Sequence, residues 1–199
     1  MAKIKLTKNE QKKQKDELKM FSRYLPTLIL KKQQLQIEIR NVEIREAEVR
    51  QKQEALNKEF RNWIGVFGED VGLDGTLIRV KGVKTNTGNI AGVEIPVFEG
   101  GEFYPVSYNL FEMPLWVDKA VEKVKQIILL DLEYQVLEEQ IKRLARELRT
   151  TTQRVNLFEK VKIPEARENI KKIGVYLGDQ QTAAVVRGKM SKKKMVKAG

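Results

Sequence analysis

The stretch from Leu18 to Phe67, LKMFSRYLPTLILKKQQLQIEIRNVEIREAEVRQKQEALNKEFRNWIGVF, decides the fold. Positions at alternating spacings of three and four are Leu18, Phe21, Leu25, Leu28, Lys32, Leu35, Ile39, Val42, Glu46, Val49, Gln53, Leu56, Phe60, Trp63 and Phe67. Twelve of these fifteen are apolar, and only Lys32, Glu46 and Gln53 interrupt the series. A repeat of about 3.5 residues sustained this far keeps one seam of a helix facing a partner helix, the pattern of a left-handed coiled coil. Pro26 withholds a hydrogen bond from Ser22 and crowds its carbonyl, so a local kink is expected there. A helix from Lys3 to Asn62 would extend about 90 Å.

The texture changes at Gly65. Nine of the thirteen glycines fall between Gly65 and Gly101, which ends the long helix. Inside this insert, Leu77 to Lys84 and Ile90 to Phe98 are β-branched segments separated by Thr85, Asn86, Thr87, Gly88 and Asn89, so a β-hairpin turning over those five residues is expected. Pro96 assigns its strand to an edge or ends the pairing. From Pro114 a second helical pattern runs to about Arg187, with a seam at Ile127, Leu130, Tyr134, Leu137, Ile141, Leu144, Leu148, Thr151, Val155 and Phe158. Beyond it the same frame would land on Lys162, Glu165, Asn169 and Lys172, whereas the apolar residues come one later, at Ile163, Ala166, Ile170, Ile173 and Leu177. A slip of one residue beside Pro164 predicts a bend in a continuing helix. Gly174 and Gly178 weaken the turns that follow by roughly 1 kcal/mol each relative to alanine.

The expected fold is mainly α: a long antiparallel two-helix coiled coil with a small β-hairpin insert at the end distal to the termini. Its parts are a coiled-coil helix over 1–64, a glycine- and aromatic-rich insert over 65–112, a coiled-coil helix over 113–187, and a basic, flexible tail over 188–199. Nine of the fourteen aromatics, Phe60, Trp63, Phe67, Phe98, Phe103, Tyr104, Tyr108, Phe111 and Trp116, should gather as a small cluster at the insert end.

Composition removes much chemistry. The 199 residues hold 38 Lys and Arg, 27 Asp and Glu, no histidine and no cysteine, for a net charge of +11. Without imidazole or thiol there is no Ser-His-Asp or Cys-His catalyst, disulfide, zinc finger or iron-sulfur site. Absent cysteine fits the cytosol. No apolar run reaches the roughly 18 residues that cross a bilayer, and the basic start has no signal-peptide core. A phosphate-cradling GxxxxGK[ST] loop is missing, so the glycines read as turn residues. The carboxylates sit in helical ion-pair spacings such as Glu138, Lys142 and Arg146.

Charge is concentrated at the ends. Residues 1–20 carry seven lysines against three acids, and residues 187–199 carry six basic groups and no acid. The terminal run Arg187, Lys189, Lys192, Lys193, Lys194 and Lys197 fits a solubilising tail, phosphates or anionic lipid, or an acidic protein socket. Leu30, Ile37 and Ile44 recur every seven residues off the seam, an apolar stripe for the second helix to wrap or for a further subunit to cover.

The segment TTQRVNLFEKVKIPEARENIKKI, with Arg154, Val155, Asn156, Ile163 and Pro164, resembles the C-terminal helix motif of the D subunits of V/A-type rotary ATPases. The opening LTKNEQKKQKDELKMFSRYLPTLILKKQQL, with Leu28, Lys31, Lys32 and Leu35, is similar to that family's N-terminal helix, and NIAGVEIPVFE to its insert. Gln153, Leu157 and Phe158 depart from the usual motif, as does the ending LGDQQTAAVVRGKM. The resemblance implies a non-catalytic central-stalk rotor shaft with no cofactor, metal or bound nucleotide. Its partners would be the catalytic A and B subunits, the F subunit of the rotor, and the membrane-rotor socket of C/d type; no nucleic acid is expected. It implies ring contact near Leu28, Lys31, Lys32, Arg154, Val155, Asn156, Ile163 and Pro164, and rotor-partner contact near Leu30, Ile37, Ile44, Val80, Val93 and Ile95. The expected location is cytoplasmic, peripheral to the plasma membrane. The competing reading is an autonomous basic coiled coil on nucleic acid or anionic membrane.

Overall fold

The computed structural model describes residues 4–63, 78–105, 114 and 116–198. The glycines from Gly65 to Gly75, the expected strand start at Leu77, and Phe67, Tyr108 and Phe111 lie outside the described residues. In chain order come helix α1 (Lys8–Trp63), strands β1 (Val80–Ile90) and β2 (Val93–Phe103), helix α2 (Trp116–Leu157), a π-helical turn (Phe158–Lys162) and helix α3 (Ile163–Ala198).

The first helix begins at Lys8, not Lys3. Thr7 stops it: its Oγ1 accepts the Glu10 N–H at 3.3 Å, and the spacing Thr7 to Glu10 is that of a capping box. The helix then continues through Pro26 as one element. The expected seam is the inward face, with Leu35, Val42 and Val49 buried and the other described seam side chains half-buried.

Packing divides the chain into two compact units, Gln33–Arg149 and the pair of segments Met1–Lys32 with Thr150–Gly199. In the unit Gln33–Arg149, α1 and α2 run antiparallel: Lys123 meets Glu59 at 3.1 Å, and the Tyr134 hydroxyl is hydrogen-bonded to Glu46. That bond raises the Tyr134 pKa and explains why the seam carries a carboxylate at position 46. Leu35, Val42, Val49, Leu137 and Leu144 form one apolar cluster, and Ile95 of the hairpin completes it at 3 % exposure.

The hairpin turns at Ala91–Gly92, not over residues 85–89, and both strands are longer than expected. Both turn residues have positive φ, 52° and 78°, as a two-residue type I′ turn requires, and the Gly92 N–H donates to Asn89 Oδ1 at 3.0 Å. Thr85 to Asn89 have turn chemistry but stay extended, because each pairs across to Phe98, Val97, Pro96, Ile95 and Glu94. The aromatic cluster expected at this end falls partly outside the described residues, and the hairpin itself does not stand apart. It lies along α2: Lys125 Nζ sits 5.8 Å from the Phe103 ring centroid, Gln140 donates to the Pro96 carbonyl, and Arg143 donates to that of Glu94 at 3.5 Å. Gly101 allows the approach, since a Cβ there would come within 2.9 Å of Leu129.

In the unit that holds both chain segments, α1 again runs antiparallel to its partner. Phe21 packs on Phe158 at 5.1 Å between ring centroids, and Asn169 Nδ2 donates to Gln14 Oε1 at 3.3 Å. Val155 is buried along this seam in the original phase, and Ile163, Ala166 and Ile173 are buried in the phase shifted by one residue. The shift is a wide turn, with the Ile163 N–H bonded to the Phe158 carbonyl. The basic stretch from Gly188 is not coil: α3 continues through it to Ala198, carried by helix-forming lysine, methionine and alanine.

Candidate functional site

Three surfaces carry the residues singled out by sequence. The first is the end of α3. From Gly178 to Val196 every residue except Ala183 is exposed, so the helix loses its paired face there. Val185, Val186, Met190, Met195 and Val196 are open to solvent beside Arg187, Lys189, Lys192, Lys193 and Lys194.

The second is the motif around the wide turn. Arg154, Asn156 and Pro164 are exposed, as are Leu157 and Val161, whereas Val155 and Ile163 are buried at 5 % and 8 %. The motif is thus half seam and half surface. Leu28, Lys31 and Lys32 of α1 are half-buried.

The third comprises side chains of α1 and the hairpin. Ile37 and Ile44, in the unit Gln33–Arg149, are 58 % and 59 % exposed, and Leu30, in the other unit, is 63 % exposed. Neither α2 nor the hairpin wraps Ile37 or Ile44. Val80 is exposed and Val93 half-buried against the core, but Ile95 is consumed by the chain's own interior and offers a partner nothing. Alternation along the strand could not reveal this, because it shows that one face is buried without saying against what.

Electrostatics here is local. On the hairpin, Glu102 receives Lys84 at 2.8 Å and Lys81 at 3.4 Å. The Lys84 hydrogen bond is the main cause holding Glu102 below its ordinary pKa, and the same bond raises Lys84. Glu139 is lowered chiefly by its hydrogen bond from Arg143. No group of three or more metal-ligating side chains occurs among the described residues.

The end of α3 thus continues past its partner with a basic, partly apolar surface, and comparison with known sequences identifies the family. Residues 10–193 match the family of ATP synthase D subunits. The chain belongs to the D-subunit family of V-type ATP synthases. It is similar to the V-type ATP synthase D subunit of Borreliella burgdorferi, at 53 % identity over 99 % of this chain and 97 % of that one. It is also similar to those of Chlamydia pneumoniae, at 34 % identity, and Chlamydia caviae, at 36 %, each covering 96 % of this chain and 93 % of the relative. The chain is therefore a non-catalytic central-stalk subunit, which displaces the reading as an autonomous nucleic-acid or membrane binder. As part of a larger complex it has protein partners, and among the described residues no helix is long and apolar enough to cross a membrane.

Residues the sequence did not single out complete the picture. Gln140 and Arg143 fasten the hairpin, and Gln14 with Asn169 bridges the seam. Their pairings are far apart in sequence, so no local pattern marks them.

Proposed function

We propose that this chain is the turning element of its complex, passing torque between ATP hydrolysis or synthesis in a ring of A and B subunits and ion movement by the membrane rotor. The bare end of α3 supports this most directly. A single helix of some twenty residues is marginal in water. Its exposed valines and methionines, with six cations in residues 187–199 and no acid, call for a surrounding apolar and acidic protein surface. A ring of A and B subunits would supply it. Arg154, Asn156 and Pro164 would meet the same ring, with Lys31 and Lys32 at its margin, while buried Val155 and Ile163 hold the seam behind them.

The outward side chains of α1, Leu30, Ile37 and Ile44, with Val80 and the hairpin, are assigned to the rotor's F subunit and a membrane-rotor socket of C/d type. Such a component works on the cytoplasmic side, peripheral to the plasma membrane. An asymmetric element contacts three equivalent catalytic sites differently, and differential contact energy is what biases each towards a different state.

Reconstitution tests the reading. Added to A, B and the remaining subunits, the chain should restore rotation-coupled turnover, while alone it hydrolyses no ATP. Deletion of residues 178–199 should abolish coupling and weaken entry into the A/B ring, yet leave binding to the F subunit intact. Full coupling with that deletion would overturn the role given to α3.

A further inference from the structure

The wide turn at Phe158–Lys162 is more than a bend. Seam side chains before it follow spacings of four and three at Thr151, Val155 and Phe158, and after it three and seven at Ile163, Ala166 and Ile173; between Phe158 and Ile163 the spacing is five. An α-helical seam allows three or four there. The π turn, closed by the Ile163 N–H on the Phe158 carbonyl, accommodates the one extra residue and returns Ile163 to the inward face. Exposed Glu159, Lys160 and Val161 swing outward, and no residue of the turn is buried.

Two features hold the turn in place. Phe158, at its start, is braced by Phe21 from the facing helix. Pro164 stands just past its end. A π insertion leaves one carbonyl without its ladder partner on the exit side, and a proline does the same because it has no N–H. Here the two defects fall within one turn. Moving the insertion elsewhere in the helix would interrupt the ladder at two separate places instead of one.

We infer that Phe158–Lys162 is a conformational device: a one-residue phase adjuster, held by Pro164 and Phe21, that returns the α3 seam to the face set by Thr151 and Val155 and is the point at which the helix opens most easily. Thr151 and Val155 before it, and Ile163, Ala166 and Ile173 after it, hold the helix by a buried seam. The adjuster has an exposed outer wall and a broken ladder, so it is the place where opening disturbs the fewest buried contacts. This goes beyond the torque-transmitting role and is testable on the full chain without partners.

Thermal melts of five variants give the test. Deletion of Val161 alone should lower the midpoint by roughly 6 °C or more, because Pro164 is then forced into an unbroken helix. Pro164→Ala alone should change it by less than about 3 °C, since the seam still demands the extra residue. Combining the two should restore at least the original midpoint, with a continuous α-helix and both seams in phase. Deletion of Lys171, which adds a slip that nothing absorbs, should remain destabilised by roughly 5 °C or more with or without Pro164→Ala. Hydrogen exchange supplies a second readout: amides of 159–163 should exchange about tenfold faster than those of 151–155 or 169–173, and the combined variant should erase the difference. A combined variant as unstable as the Lys171 deletion, or uniform exchange across 151–173 in the unaltered chain, would overturn the inference.

Discussion

The two compact units use the same device, antiparallel helices joined along a heptad seam, to different ends. In Gln33–Arg149 the seam is capped by a third element: Ile95 of β2 enters the cluster of Leu35, Val42, Leu137 and Leu144, and Gln140 and Arg143 of α2 hold the strand's carbonyls. In the unit with both chain segments, among the described residues, α1 faces the continuous run of the end of α2, the π turn and α3, and no strand joins them. Its seam admits Thr151 and the Asn169–Gln14 pair, widens at Phe158, and leaves α3 bare from Gly178 onward except at Ala183. The first unit covers its own seam while leaving Ile37 and Ile44 outward. The second leaves the end of α3 with its apolar and basic side chains open to solvent.

The comparison breaks most readily in the cores. Leu144 and Ile173 are both fully buried, one in each unit. Leu144→Ala should cost about 2–5 kcal/mol in urea unfolding, and Ile173→Ala should fall at the lower end of that range, because two helices collapse around a cavity more easily than two helices and a strand. Equal costs near the upper end would show that the two seams are equally self-contained.

A smaller effect sharpens the contrast in polarity. Replacing Gln14 and Asn169 together by leucine should stabilise the chain by about 1–2 kcal/mol, since the new apolar pair is buried while no amide is left unmatched. It should also relax the choice of partner and register, seen as self-association by light scattering. A destabilised, strictly monomeric double variant would mean that the amide pair contributes more than specificity.

The hairpin turn offers a gain. Ala91 is the one non-glycine residue with positive φ among the described residues, a conformation costing a residue with a Cβ roughly 1–2 kcal/mol. Ala91→Asn forms the preferred Asn-Gly pair and should raise the midpoint by about 2–4 °C. No gain would show that the partly buried methyl group of Ala91 matters more than its dihedral angle.

The smallest effect is electrostatic. Glu102 is held below its ordinary pKa in the folded hairpin, so its contribution is present above the unfolded pKa and is lost as the pH falls through the lower, folded value. Lys84, raised by the same bond, contributes below its unfolded pKa and loses that contribution as the pH rises through the folded one. In Glu102→Gln both dependences should vanish from the pH profile of hairpin amide shifts. Because both groups are exposed, the midpoint should scarcely move.

Much of this was legible because it is local. The seam positions from Leu18 to Phe60 are the half-buried and buried ones, and the slip before Ile163 is real. The physical form of the slip was not legible: Pro164 suggested a bend, whereas the backbone inserts a π turn that keeps Ile163 inward. The hairpin was legible as a hairpin but not in its turn, since Thr85 to Asn89 and Ala91–Gly92 both have turn chemistry and only cross-strand pairing chooses between them. The resemblance that pointed to Val93 and Ile95 as contacts could not show that Ile95 is buried and Val93 half-buried against the chain's own core.

Sequence by itself determined the helical phase, the antiparallel seam and the off-seam placement of Leu30, Ile37 and Ile44, because a helix brings residues three and four apart together whatever surrounds it. Tertiary structure decided where the hairpin lies, that Ile95 fills the core, and that Gln14 meets Asn169. Those outcomes depend on segments distant in the chain competing to bury the same surface, and that competition is settled only when they pack.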